Sequence, residues 1–160
     1  MALTLYTDGA CSGKQAGWAW VLVQDDKLAT YDSGTEDDST NQRAELLAAI
    51  KGFEYLNWQH KDEAVVLVSD SAYLVNCLVD EWYEKWLANG FKNSAGEPVA
   101  NQSLWIDLLC LLEDRWIAEV ETDFLHIRGH NKRATDDPIH VEWNQMCDEL
   151  AVKARLTAKS

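Results

Sequence analysis

Proline is almost missing from this chain, at 2 of 160 residues, while apolar side chains make up 47%. Disordered and linker-like polypeptides show the opposite balance, so a single folded domain spanning residues 1–160, with a substantial core, is expected. No apolar run approaches the ~20 residues that a membrane-spanning helix requires, and no membrane partner is expected. The opening Met1-Ala2-Leu3-Thr4-Leu5-Tyr6 lacks a basic start and soon reaches Asp8, which reads as a strand and not as a signal peptide. Cysteine is sparse and scattered. Cys11, Cys77, Cys110 and Cys147 form no C-x-x-C pair, which argues against a zinc site or a disulfide framework and for free thiols in a reducing compartment. Cations are also scarce: 14 Lys and Arg stand against 27 Asp and Glu, for a net charge of −13. Taken alone, that deficit points away from nucleic acid, whose phosphates are usually neutralised by Lys and Arg.

What the chain does have is four carboxylates placed where apolar segments end or pack. Asp8 follows Leu3-Thr4-Leu5-Tyr6-Thr7, Glu45 lies in Asn41-Gln42-Arg43-Ala44-Glu45, Asp70 follows Val65-Val66-Leu67-Val68-Ser69, and Asp148 follows Cys147. A free carboxylate beside an apolar strand costs several kcal/mol unless it is paired, metal-bound or open to water. A hard divalent cation such as Mg²⁺ favours that all-oxygen environment. Two such ions can clamp a phosphodiester during in-line attack by water, which is nuclease or phosphoryl-transfer chemistry. Each aspartate alone has a plainer reading, Asp8 in a turn and Asp70 as a helix N-cap.

Periodicity organises the rest. Leu3–Thr7, 17–23 and 29–34 read as a three-strand meander, with glycines 9, 13 and 17 marking the first turn and Asp25-Asp26-Lys27 the second. Ser39 or Thr40 opens a helix, in which Leu46, Leu47, Ile50, Phe53 and Leu56 recur at helical spacing to about Trp58. Ala64–Ser69 is a β-branched apolar run of the kind found in buried parallel strands. A second helix is expected from Ser71 toward Leu87, then a polar loop over 91–100, a third helix through Leu104, Leu108, Leu112 and Trp116, a strand over 123–128, and a terminal helix from Trp143. The order βββ-α-β-αα-β-α is an α/β fold with a five-stranded mixed sheet covered by helices. Strands one and four must form its centre, which would set Asp8 beside Asp70. Trp18, Trp20, Trp58 and Trp116 read as core. His126 and His130 have zinc-like spacing, but alternation along the last strand turns His126 away from the carboxylates.

This order of elements and motifs resembles the type 1 ribonuclease H family, endonucleases that cut RNA paired to DNA. Thr7-Asp8-Gly9, Thr40-Asn41-Gln42-Arg43-Ala44-Glu45, Asp70-Ser71, Arg128-Gly129-His130 and Asn144-x-x-Cys147-Asp148-Glu149-Leu150-Ala151 occur in family order. Any one of them is weak; five in sequence are specific. The resemblance implies a ribonuclease H-like fold and an RNA/DNA hybrid as substrate, with roles in removing RNA primers or R-loops. It implies two Mg²⁺ ions held by Asp8, Glu45, Asp70 and Asp148, with Mn²⁺ as an alternative, and 5′-phosphate and 3′-hydroxyl products. His130 would assist proton traffic or product departure. Glu45 and the backbone of Gly9, Cys11 and Asn41 would touch ribose 2′-hydroxyls, with Gln42 also at the substrate. Thr40 and Asn101 would hold a DNA phosphate, and Trp82 and Trp86 would lie along DNA sugars, though at i, i+4 spacing they equally describe a buried helix face. A cytoplasmic monomer is expected.

Several positions depart from the family pattern. Residues 80–105 hold only Lys85 and Lys92 against Asp80, Glu81, Glu84 and Glu97, where relatives are often basic. Asp38 stands where a phosphate-binding arginine often lies, Ala72 replaces a frequently polar residue, the turn reads Gly13-Lys14-Gln15-Ala16-Gly17, and a long stretch separates His130 from Asn144. None of these is a metal ligand, so the expectation is intact chemistry with altered substrate affinity. Two other functions fit the fold: a dead binding module, which would have lost carboxylates, and a transposase, resolvase or exonuclease, which would bring extra domains and different acidic spacing.

Overall fold

The computed structural model describes residues 3–128 and 137–157. Five strands form one mixed sheet in the order β3-β2-β1-β4-β5. The strands β1 (Leu3–Ser12), β2 (Gln15–Gln24) and β3 (Lys27–Glu36) make the antiparallel meander, and β4 (Val65–Ser69) and β5 (Thr122–His126) add in parallel. The meander strands are longer than the alternation indicates. β1 does not end at Thr7 but runs through Asp8 to Ser12, pairing with β2 all the way to a tight turn at Gly13, whose φ is 63°.

Helix α1 (Asn41–Gln59) starts where Thr40 caps it, the Thr40 hydroxyl accepting the Arg43 N–H at 3.1 Å. It packs on one face of the sheet with α2 (Ala72–Val79) and α4 (Gln102–Ile117), enclosing Leu5, Trp18, Trp20, Leu46, Phe53, Leu67 and Trp105. Helix α5 (Pro138–Thr157) covers the opposite face, over Tyr6, Ala19, Val21, Val68 and its own Cys147. Each face thus has its own apolar layer, as a sheet buried on both sides requires.

Three differences from the periodicity have local causes. The single helix expected from Ser71 toward Leu87 is two, because Glu81 adopts a left-handed backbone (φ 56°) between α2 and α3 (Trp82–Asn89). The segment between β4 and β5 therefore holds three helices, not two. The bend lets Trp86 lie against Trp105, ring centroids 5.3 Å apart, and that aromatic contact offsets the left-handed residue. Helix α5 begins at Pro138, ahead of Trp143, since Asp137 accepts the Ile139 N–H at 2.9 Å and proline is suited to a first helical position. β5 ends at His126 and does not reach Arg128.

One side-chain expectation is corrected. Trp58 is not core but 75% exposed; Tyr55 takes the inward place on α1 and stacks on Trp20 at 5.0 Å. His126 sets its Nε2 3.2 Å from the backbone carbonyl of Asp70, not from a carboxylate, and is not among the residues lining the carboxylate depression. Trp18 and Trp20 are buried as expected, and Trp116 is half-buried, stacked on Tyr83.

Candidate active site

The parallel register pairs Tyr6 with Val68, so continuing each strand by two residues sets Asp8 next to Asp70. Glu45 reaches them because Gly9 has no side chain. A Cβ there would come within 2.5–2.6 Å of the Ala44 carbonyl carbon and Cβ and the Glu45 nitrogen, so α1 can rest directly on β1 only above a glycine. The Gly9 N–H then donates to Glu45 Oε1 in a short contact, and lies 2.9 Å from Asp8 Oδ1. Ligand oxygens from Asp8, Glu45 and Asp70 all lie within 4.8 Å of one another. Asp148, from α5, lines the same open depression of about 350 Å³, with Gly9, Asn41, Gln42 and Ser71 on its walls.

Asp8 is 4% and Glu45 8% exposed, and Asp8 Oδ2 is buried with no hydrogen-bond partner among the described residues. Burial raises the Asp8 carboxyl far above the usual range, and the neighbouring charges of Glu45, Asp70 and Asp148 raise it further. Glu45 is raised by burial and by Asp70, with hydrogen bonds from the Gly9 N–H and the Ser71 hydroxyl partly opposing. Three carboxylates this close cannot all ionise without a compensating cation or proton. A hard divalent cation satisfies both the unpartnered oxygen and the crowded charge, so the donor set fits such an ion.

The other sequence-predicted residues fall into distinct settings. Cys11 and Asn41 meet at the rim, where the Cys11 N–H donates to Asn41 Oδ1 at 3.0 Å; Thr40, Asn41 and Gln42 are exposed. Asn101 precedes α4 in a left-handed conformation (φ 59°), its amide 3.4 Å from the Tyr73 hydroxyl, which also accepts the Trp105 indole N–H at 2.8 Å. Trp82 and Trp86 part ways: Trp82 is 48% exposed, whereas Trp86 is half-buried against Trp105 and Phe91. His130 lies outside the described residues. Arg43, beside the candidate ligands in sequence, is held by Glu36 through two contacts at 2.8 and 3.0 Å.

Sequence reasoning assigned no role to Asn144. It is 2% exposed and brings its amide to 3.5 Å from Asp70 Oδ2. Its signal was the i, i+4 spacing to Asp148, which puts both on one face of a helix.

A family model described as RNase H matches residues 1–155. The Ribonuclease H of Syntrophomonas wolfei is 38% identical over 157 residues, covering 95% of this chain and 94% of that relative. The Ribonuclease H of Moorella thermoacetica is 40% identical over 151 residues, covering 93% of this chain and 88% of its own. Among solved structures, LC11-RNase H1 in complex with RNA/DNA hybrid superposes with a TM-score of 0.72 at 22% identity, covering 99% of each chain. The solution structure of the PFV RNase H domain gives 0.77 at 23% identity, covering 97% of this chain and 94% of that one. At those identities the two structures speak for the fold.

Proposed function

The chain belongs to the ribonuclease H family, and from that premise we propose that it is an endonuclease hydrolysing the RNA strand of RNA/DNA hybrids, with Asp8, Glu45, Asp70 and Asp148 holding two Mg²⁺ ions. The observation that carries this reading is the convergence of three buried or half-buried carboxylates within 4.8 Å, one with an unpartnered oxygen, at the floor of an open depression. When bound, the ion pair supplies charge stabilisation for the attacking and leaving oxygens of an in-line displacement, giving 5′-phosphate and 3′-hydroxyl ends. Mn²⁺ has the same preference for oxygen ligands and is an alternative.

The chain's own residues do the placing. Gly9 lets α1 lower Glu45 onto Asp8, and the hydrogen bond from the Gly9 N–H orients that carboxylate. Asn41 and Gln42, on the first turn of α1, line the rim of the depression, where an RNA 2′-hydroxyl can be recognised by its paired donor and acceptor. Asn101 and the Thr40 hydroxyl supply neutral hydrogen bonds to a DNA phosphate, and exposed Trp82 lies along the DNA sugars. His130 moves a proton or aids product departure; an unperturbed imidazole titrates near 6.5, which suits either task. The protein works as a cytoplasmic monomer, removing RNA primers or R-loops.

One gel tests the proposal: cleavage with and without Mg²⁺ of an RNA/DNA hybrid, double-stranded RNA and double-stranded DNA of one sequence. Metal-dependent cutting of the hybrid's RNA strand alone is expected. Equal cutting of double-stranded DNA, or cutting in the presence of a chelator, would overturn it.

A further inference from the structure

Asn144, in the motif that carries Asp148, has no task in the proposed chemistry. It projects from α5 one turn before Asp148, so both point toward the end of the sheet where β1 and β4 place Asp8 and Asp70. The side chain is 2% exposed. Its Nδ2 lies 3.5 Å from Asp70 Oδ2, and its Oδ1 is buried without a hydrogen-bond partner among the described residues. The orientation of the amide follows from charge: turned the other way, it would aim its oxygen at a carboxylate oxygen and leave the N–H groups unused. At 3.5 Å the contact is at the outer limit of a hydrogen bond, and hydrogen bonds at substrate-free active sites are often long and tighten only in the complex. A purely apolar side chain would fill this place without leaving a buried acceptor unsatisfied, which is costly. The buried amide therefore costs stability unless what it faces uses its polar atoms.

Resting on the reading of this cluster as a divalent-cation site, we infer that Asn144 is a positioning residue for Asp70. The amide holds one oxygen of the Asp70 carboxylate and so helps to keep it turned toward Asp8 and Glu45. The Asn144 Oδ1 offers an acceptor to a water molecule of a hydrated cation. Partners of this kind, hydrogen-bonded to a ligand and not to the ion, tune metal affinity by 10–100-fold in metalloenzymes generally.

The test uses the full chain and Mg²⁺ alone, titrated by calorimetry, with Asn144→Leu as the variant because it keeps the side-chain shape and removes both polar atoms. The expected result is a 10–100-fold weaker Mg²⁺ affinity with a metal-free Tm unchanged or raised. On hybrid, kcat should fall with KM unchanged, and added Mg²⁺ should restore part of it. A packing role predicts the reverse, a lowered Tm with unchanged Mg²⁺ affinity, and that result would overturn the inference. Asn144→Ala carries the same comparison if the leucine variant does not fold. Asp70→Asn serves as the reference: if it too binds Mg²⁺ like the wild type, the cation site itself is misassigned, whereas loss in Asp70→Asn with full affinity in Asn144→Leu refutes only the role of Asn144.

Discussion

At the scale of single residues, the carboxylates carry a stability cost along with the chemistry proposed for them. Asp8 and Glu45 are buried and raised, so in the metal-free protein the folded state keeps protons that the unfolded state has released. Stability therefore falls as pH rises, from the ordinary carboxylate range near 4 upward through neutrality, since the native state binds more protons over that window. Asp8→Asn removes one charge from the cluster. Its metal-free Tm should lie above the wild type at neutral pH, with the difference shrinking toward pH 4, as followed by thermal melts with a chelator present. The same variant, and Asp70→Asn, should retain less than a few per cent of hybrid cleavage; substantial turnover in either would remove them from the machinery. His130 belongs to a different class. Its alanine variant should lose about 10²–10⁴-fold in turnover while hybrid affinity and Mg²⁺ affinity stay near wild type, which filter binding and calorimetry can read separately from rate.

At the scale of elements, the site depends on how closely helices approach the sheet. α1 touches β1 at Gly9, where an added Cβ would collide with backbone atoms that cannot swing aside. Gly9→Ala should lower stability by about 1–3 kcal/mol, the usual cost of overpacking, in urea melts. Cleavage should fall further than the stability loss explains, because Glu45 is displaced from Asp8. The α2–α3 bend makes the opposite kind of prediction. Glu81 sits at φ 56° with no side-chain cap to the helix that follows. Glu81→Gly should relieve about 1 kcal/mol of backbone strain, raising Tm and leaving the position of Trp86 on Trp105 intact. A loss of stability would mean that Glu81 makes a contact worth more than the strain. The bend was not legible from composition: Val79-Asp80-Glu81-Trp82 contains no glycine or proline, and only the packing of Trp86 shows why the helix stops.

At the scale of the molecule, a net charge of −13 has to meet a polyanion. Exposed charges beyond about 8–10 Å are largely screened at physiological salt, so the local face matters more than the total. The face proposed to meet the hybrid is poor in cations. The α3 region offers Lys85 and Lys92 against Asp80, Glu81, Glu84 and Glu97, and Arg43 is already held by Glu36. Each neutralised phosphate adds about −0.7 to −0.9 to the slope of log affinity against log salt. Weak hybrid binding with a slope fitting about two to four contacts is expected. Lysine at positions 81, 84 and 97 should tighten binding and steepen the slope, with the chemical step unaltered. A wild-type slope fitting six or more contacts would place the phosphates elsewhere, and Lys132 and Arg133 are the first residues to test.

Order and spacing along the chain already determined the fold class and the succession of the five strands, and they singled out the four carboxylates. Alternation of period 2 and recurrence near 3.6 are local consequences of backbone geometry, and acidic residues at the ends of apolar runs are conspicuous in one dimension. The tertiary structure decided what depends on neighbours distant in sequence. It chose Tyr55 over Trp58 for the inward place on α1, where the Tyr55 ring stacks on Trp20 and Trp58 stands exposed. It committed Trp86 to the protein and left Trp82 exposed, because Trp105 and Phe91 close around one indole. It drew His126 to the Asp70 carbonyl and Asn144 to the Asp70 carboxylate through strand pairing and helix docking. Burial and pairing are properties of three-dimensional proximity, and no window of sequence contains both partners.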